Sequence, residues 1–163
     1  MNSKSDASEK YILEGIKIFE EIKQRPFYSW GYLCLGELYS DTSEYAKAMN
    51  TLKKAEGEFQ DMGIDYRLSF SKSLIGKTLS KINPVQFSES EQIILDAMKI
   101  AQDIESKPAS AYGHLCLGEI YAENGQKEKA LENLKKAETM YQEMKMGLWL
   151  GKTREDLNRL LSR

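Results

Sequence analysis

The chain carries one histidine, two cysteines and three prolines in 163 residues, and each scarcity removes something. A single imidazole, His114, leaves no histidine pair for a metal site or an acid–base couple. Two thiols, Cys34 and Cys116, are too few for a disulfide-stapled secreted domain of this length, so reduced thiols are expected. Three prolines (Pro26, Pro84 and Pro108) leave long uninterrupted stretches, as helices require. Positive charge is not in excess: 23 Lys and Arg face 25 Asp and Glu, for a net charge of −2. Nucleic-acid binding needs a basic surplus to displace counterions, so no nucleic acid is expected as a partner. No apolar run approaches the roughly 18 residues that cross a bilayer, and the first ten residues are too polar for the core of a signal peptide. No membrane partner and a cytoplasmic location are the resulting expectations. C-x-x-C, G-x-G-x-x-G, P-loop and G-x-S-x-G patterns are all missing. The carboxylates spread along helix faces. The chain therefore reads as not an enzyme, with no catalytic residue, metal or cofactor.

What is present is a repeat. Gly31-Tyr32-Leu33-Cys34-Leu35-Gly36-Glu37-Leu38-Tyr39 returns 82 residues later as Gly113-His114-Leu115-Cys116-Leu117-Gly118-Glu119-Ile120-Tyr121. Leu52-Lys53-Lys54-Ala55-Glu56 returns as Leu134-Lys135-Lys136-Ala137-Glu138 in the same register, and Pro26 returns as Pro108. Of the 63 positions from 13 to 75, 22 are identical to those 82 further on, without a gap, which chance does not give. The chain is a tandem duplication of a unit about two helical hairpins long.

Inside each unit the apolar period is helical. Ile12, Ile16, Phe19 and Ile22 form one stripe, and Ala48, Leu52, Ala55 and Phe59 another. No stretch alternates apolar and polar for long, so no strands are expected. Asp6-x-x-Glu9 and Ser88-x-x-Glu91 have the form of capping boxes. Pro26 and Pro108 mark helix starts, and Gly63 and Asn124-Gly125 mark helix ends. Eight helices are predicted, near 8–24, 27–41, 43–62, 65–82, 88–105, 108–123, 126–145 and 147–161. Residues 1–7 are expected to form a disordered polar start. Residues 8–163 are expected to form one domain, with halves 8–82 and 88–163.

The second and third helices resemble the tetratricopeptide repeat, a helix pair of about 34 residues. Tyr32, Leu35-Gly36, Tyr39, Tyr45, Ala48, Leu52 and Ala55 carry the likeness. His114, Leu117-Gly118, Tyr121, Gly125, Ala130, Leu134 and Ala137 repeat it. Gln60 and Gln142 stand where the family favours proline, and Ser43 where it favours glycine. The fourth and fifth helices, with Leu74, Ile75, Gly76, Ile94, Ala97 and Met98, look like a degenerate middle repeat. The first and last helices would be half-repeats capping the ends. The tail from Met144 to Leu150 also resembles repeat segments at the C-terminal ends of large bacterial and archaeal signalling ATPases and adenylate-cyclase-associated proteins. The resemblance implies an all-α solenoid of αα-hairpins, about eight antiparallel helices in a tetratricopeptide-like superhelix.

It also implies a concave face lined by the first helix of each pair. Trp30, Leu33, Glu37, Ser40 and Asp41 would line it in the first copy. Tyr112, Leu115, Glu119, Ala122 and Glu123 would do so in the second, with Phe70, Ser73 and Lys77 between. Aromatic anchors beside carboxylates suit a protein or peptide partner with basic and apolar residues. The family's carboxylate clamp is not expected, because Leu33 and Glu37, and again Leu115 and Glu119, occupy clamp positions. Trp30 and Tyr112 could instead pack against the neighbouring repeat. Two other functions fit the composition: a ligand-sensing regulatory domain of a signalling protein, and a homo-oligomerisation module. For the latter, Met144, Met146, Leu148, Trp149 and Leu150 form an apolar patch that either seals the stack or makes a homodimer contact.

Overall fold

The computed structural model describes residues 3–162, with side chains from residue 5. It contains eight α-helices: α1 (Ser3–Glu21), α2 (Arg25–Asp41), α3 (Tyr45–Met62), α4 (Asp65–Ile82), α5 (Phe87–Asp103), α6 (Lys107–Glu123), α7 (Lys127–Glu143) and α8 (Gly147–Leu161). A short 3₁₀ turn, Pro84–Gln86, joins α4 to α5, and no strand is present among the described residues. The all-helical solenoid read from the sequence is what the chain forms. Two ends differ from expectation. Helix α1 starts at Ser3, so residues 3–7 are helical, while residues 1 and 2 of the predicted polar start lie outside the described residues.

Neither capping box forms. Asp6 lies inside α1, and α5 starts at Phe87 behind Gln86. The glutamates of both boxes serve a different purpose. Tyr39 donates its hydroxyl proton to Glu9 at 2.6 Å, and Tyr121 donates to Glu91 in the same way one repeat later. Tyr39 and Tyr121, Glu9 and Glu91 are pairs in the 82-residue register. The S/D-x-x-E spacing thus reflects an interhelical bond, repeated in both copies.

Six of the connections share one solution to the orphan carbonyls at a helix end. In each, a backbone N–H bonds the carbonyl five residues back: Gln24 to Phe19, Glu44 to Tyr39, Ile64 to Phe59, Ser106 to Ala101, Gln126 to Tyr121 and Met146 to Tyr141. The residue before each donor has a positive φ: Lys23, Ser43, Gly63, Glu105, Gly125 and Lys145. This is a Schellman-type ending, for which glycine is the unstrained choice. Gly63 and Gly125 meet it, and the other four do so against their Cβ. Pro26 and Pro108 sit in the first turn of α2 and α6, where a missing N–H is harmless.

Each helix packs on its sequence neighbours, with α2–α3, α4–α5 and α6–α7 as the tightest hairpins. Close approach is built in. A Cβ on Gly36 would lie 2.5 Å from Leu52, and one on Gly118 would lie 2.6 Å from Leu134. Those leucines, with Phe59, Ile94, Leu115, Ile120 and Tyr141, are buried in the core. Among the even-numbered helices α2 touches α4, α4 touches α6 and α6 touches α8, whereas α1, α3, α5 and α7 do not touch one another. The stack therefore bends with α2, α4, α6 and α8 on its inner side. No helix is long and apolar enough to cross a membrane among the described residues.

Candidate functional site

The inner face holds two cavities, one mainly aromatic and one charged. The aromatic one, about 220 Å³, lies between α2, α4, α6 and α8. Its wall is a run of rings. Tyr66 meets Phe70 edge-on at 5.3 Å, Phe70 stacks on Tyr112 at 4.8 Å, and Tyr112 meets Trp149 edge-on at 5.2 Å. Opposite them stand Trp30, Leu33 and Glu37. Arg67 lies over the Trp30 ring at 4.5 Å, a cation–π contact, and makes no ion pair with another described residue. Trp30 remains 48% exposed.

Glu37 is the chemically distinctive member. It is half-buried and has no ion pair or side-chain hydrogen bond with another described residue. Burial holds its carboxyl above the ordinary carboxylate range, with the field of Lys152 the strongest influence the other way. An unpaired carboxylate in an aromatic-lined groove is ready to accept a cation.

The charged cavity, about 350 Å³, continues past the C-terminal ends of α2, α4 and α6 to α8. Here Lys77 lies 2.7 Å from Glu119, and Lys81 lies 2.6 Å from Glu123. Burial opposes the charge of Lys77, but Glu119 overcomes that penalty and keeps the ammonium charged. Lys152, Arg159 and Asp156 complete the lining. Burial, then Glu119, raises the carboxyl of Asp156, whose Oδ2 is buried without a hydrogen-bond partner.

The predicted concave residues divide on inspection. Trp30, Leu33, Glu37, Asp41 and Phe70 reach the groove surface. Tyr112 and Leu115 do not: they are 3% and 1% exposed, because Phe70 and Trp149 cover the tyrosine ring. Of the two fates weighed for Tyr112, packing against the neighbouring repeat is the one observed. Ser73 is also buried, because it lies on a side of α4 that the neighbouring helices cover. Lys77, Glu119 and Glu123 do face inward, but as paired charges that a partner could engage only by breaking a pair.

Sequence reasoning missed Arg67, Tyr66 and Lys152. A signal for the first existed, because the 82-residue register aligns Arg67 with Trp149, and both contact the aromatic residue at the start of the preceding inner helix. Trp149 packs inward, stacking on Tyr141 at 6.0 Å, and of its apolar neighbours Leu148 alone is strongly exposed, at 85%.

The thiols and the imidazole have ordinary surroundings. Burial pushes Cys116 up to about 12 and raises Cys34 as well, so neither is a thiolate at neutral pH. Burial lowers His114, whose Nδ1 lies 2.9 Å from the side-chain oxygen of Asn133. No group of three or more His, Cys, Asp or Glu among the described residues is placed to hold a metal. No protein-family model matches the chain, and no curated protein matches it.

Proposed function

We propose that the chain is a non-catalytic protein-interaction module of the tetratricopeptide kind, working in the cytoplasm, which holds a peptide or helix along its inner groove. The observation that carries this reading is Glu37: a half-buried carboxylate without a counter-ion, beside the half-exposed Trp30 ring and below the Tyr66–Phe70 wall. A Lys or Arg of the partner satisfies Glu37 and Asp41, while an apolar side chain beside it covers Trp30 and Leu33. Arg67 adds a second contact for a carbonyl or carboxylate of the same segment. Glu119 and Glu123 have lysine partners already, so selection for basic residues rests on the first copy.

Selection from a displayed peptide library tests the reading. Bound peptides should carry Lys or Arg beside apolar residues. Glu37→Lys should weaken them by at least about tenfold, and Trp30→Ala by a similar factor. Affinity unchanged in both variants would remove the groove as the binding site. A thermal shift with small metabolites and no peptide selection would move the function to ligand sensing in the charged cavity.

A further inference from the structure

The internal duplication supplies a ruler for the two ends of the stack. In the second copy, α4 lies across α5 and α6. Its Ser69 donates to the carbonyl of Ala97, Gly76 lies so close to Ile94 that a Cβ would approach within 2.7 Å, and Phe70 stacks on Tyr112. Lys77 and Lys81 then pair with Glu119 and Glu123 of α6. The matching surface of the first copy is α1 and α2, and no described helix lies across it.

Positions that α4 covers are more open one repeat earlier. Ile94, Ala97 and Cys116 are fully buried, whereas Ile12, Gly15 and Cys34 are half-buried. Tyr112 is buried and Trp30 exposed. A cavity of about 200 Å³ lies there, bounded by Ile12, Gly15, Ile16, Trp30, Gly31 and Cys34. Its far end is closed by Phe19 stacked on Phe27 at 5.1 Å, where the second copy has Ala101 and Ala109. The charges follow the same rule. Glu37 and Asp41 are the counterparts of Glu119 and Glu123, and the lysines that would pair with them are missing.

We infer that this open end is a docking site for one amphipathic helix of a partner protein. That helix presents an aromatic residue toward Trp30, small residues at the positions of Ser69, Ser73 and Gly76, and basic residues at the positions of Lys77 and Lys81. Small residues let it settle on Ile12 and Gly15, and the basic pair meets Glu37 and Asp41. A second copy does not fit by its last helix. Its α8 is the counterpart of α4, but Asn158 stands at the position of Gly76, where a Cβ would already lie 2.7 Å from Ile94, and the charged Glu155 stands at that of buried Ser73. This end site shares Trp30, Glu37 and Asp41 with the inner groove and adds the cavity over Ile12 and Gly15, so the proposal rests on the groove reading and goes beyond it.

The test uses the full chain and a capped peptide of residues 67–82, which carries the α4 pattern. Binding by titration calorimetry is expected at 1:1, with Kd on the order of 10–100 μM after the cost of ordering the peptide. Gly15→Gln fills the cavity, and Gly15 has open space around an added Cβ, so the variant keeps its fold. It should weaken binding at least about tenfold. Changing Lys77 and Lys81 of the peptide to Glu should do the same, and Glu37→Lys with Asp41→Lys should restore that acidic peptide. No binding of the native-sequence peptide overturns the proposal. So does binding that Gly15→Gln leaves unchanged, which would place the peptide in the inner groove. Self-association of the chain that Gly15→Gln abolishes would also overturn it, by making the occupant a second copy.

Discussion

Lys77 and Glu119 offer the sharpest check on how the inner face is held together. Their side chains are 6% and 14% exposed, so the pair is close to buried. Removing one member of a buried pair strands the other, which costs about 3–5 kcal/mol. The two single changes should not be equal. Lys77→Met leaves Glu119 facing Glu37 and Asp156, two carboxyls that burial already holds above their ordinary range. It should cost the full amount, about 3–5 kcal/mol. Glu119→Leu leaves Lys77 within the fields of Glu37 and Asp41. That variant should lose about 1–2 kcal/mol. The double change to Met and Leu removes both charges and should lie within about 1 kcal/mol of the parent, as packed apolar replacements of buried pairs do. Urea denaturation with a double-mutant cycle reads all three, and a constant m-value keeps the comparison valid. Lys77→Met costing less than about 1 kcal/mol, or Glu119→Leu costing more than Lys77→Met, would refute the reasoning.

Other expectations follow from the loops, the glycines and Glu37. Ser43→Gly and Lys145→Gly each relieve a positive φ and should stabilise by about 0.5–1 kcal/mol, the left-handed penalty less the added chain entropy; a thermal midpoint that falls would contradict this. Gly15→Ala and Gly57→Ala sit in open helix surface and should gain up to about 1 kcal/mol. Gly36→Ala drives a Cβ into buried Leu52 and should lose about 1–3 kcal/mol, so equal effects at Gly36 and Gly15 would discredit the packing account. Burial raises the folded-state pKa of Glu37 above its unfolded value, so the folded chain disfavours the carboxylate at neutral pH and the penalty fades as pH falls through the ordinary carboxylate range. Glu37→Gln should accordingly raise the melting midpoint at pH 7, with the gain gone by about pH 4; a gain that is the same at both pH values would show that charge is not its cause.

The architecture was legible because helical period and duplication are both local patterns. Ala48, Leu52, Ala55 and Phe59 announce a buried stripe wherever the helix ends up, and Pro26, Gly63 and Pro108 mark ends by backbone geometry alone. The capping boxes misled because Glu9 and Glu91 answer to tyrosines thirty residues away, a partner that spacing along one helix cannot reveal. The concave positions were half-legible for a related reason. Counting along a helix places Trp30 and Tyr112 on the same face, but exposure depends on what lies across that face. Phe70 and Trp149 cover Tyr112, while Trp30 has Arg67 over its ring and stays half-exposed. The pairing of Lys77 with Glu119 was out of reach, since it needs the crossing of α4 and α6.

The two copies are therefore alike in sequence and unlike in circumstance, and the difference is positional. A glutamate near the C-terminal end of an inner helix is neutralised where an inner helix lies before it, as at Glu119, and left unpaired where no described helix does, as at Glu37. The same holds for the aromatic two turns earlier and for the apolar stripe of the outer helix behind it. Polar substitution at Glu155 and Asn158 closes the C-terminal end to that geometry. No such substitution appears at Ile12, Gly15 or Phe19, which stay apolar without a helix above them. Charge, shape and hydrophobicity over α1 and α2 therefore all describe the same docked helix.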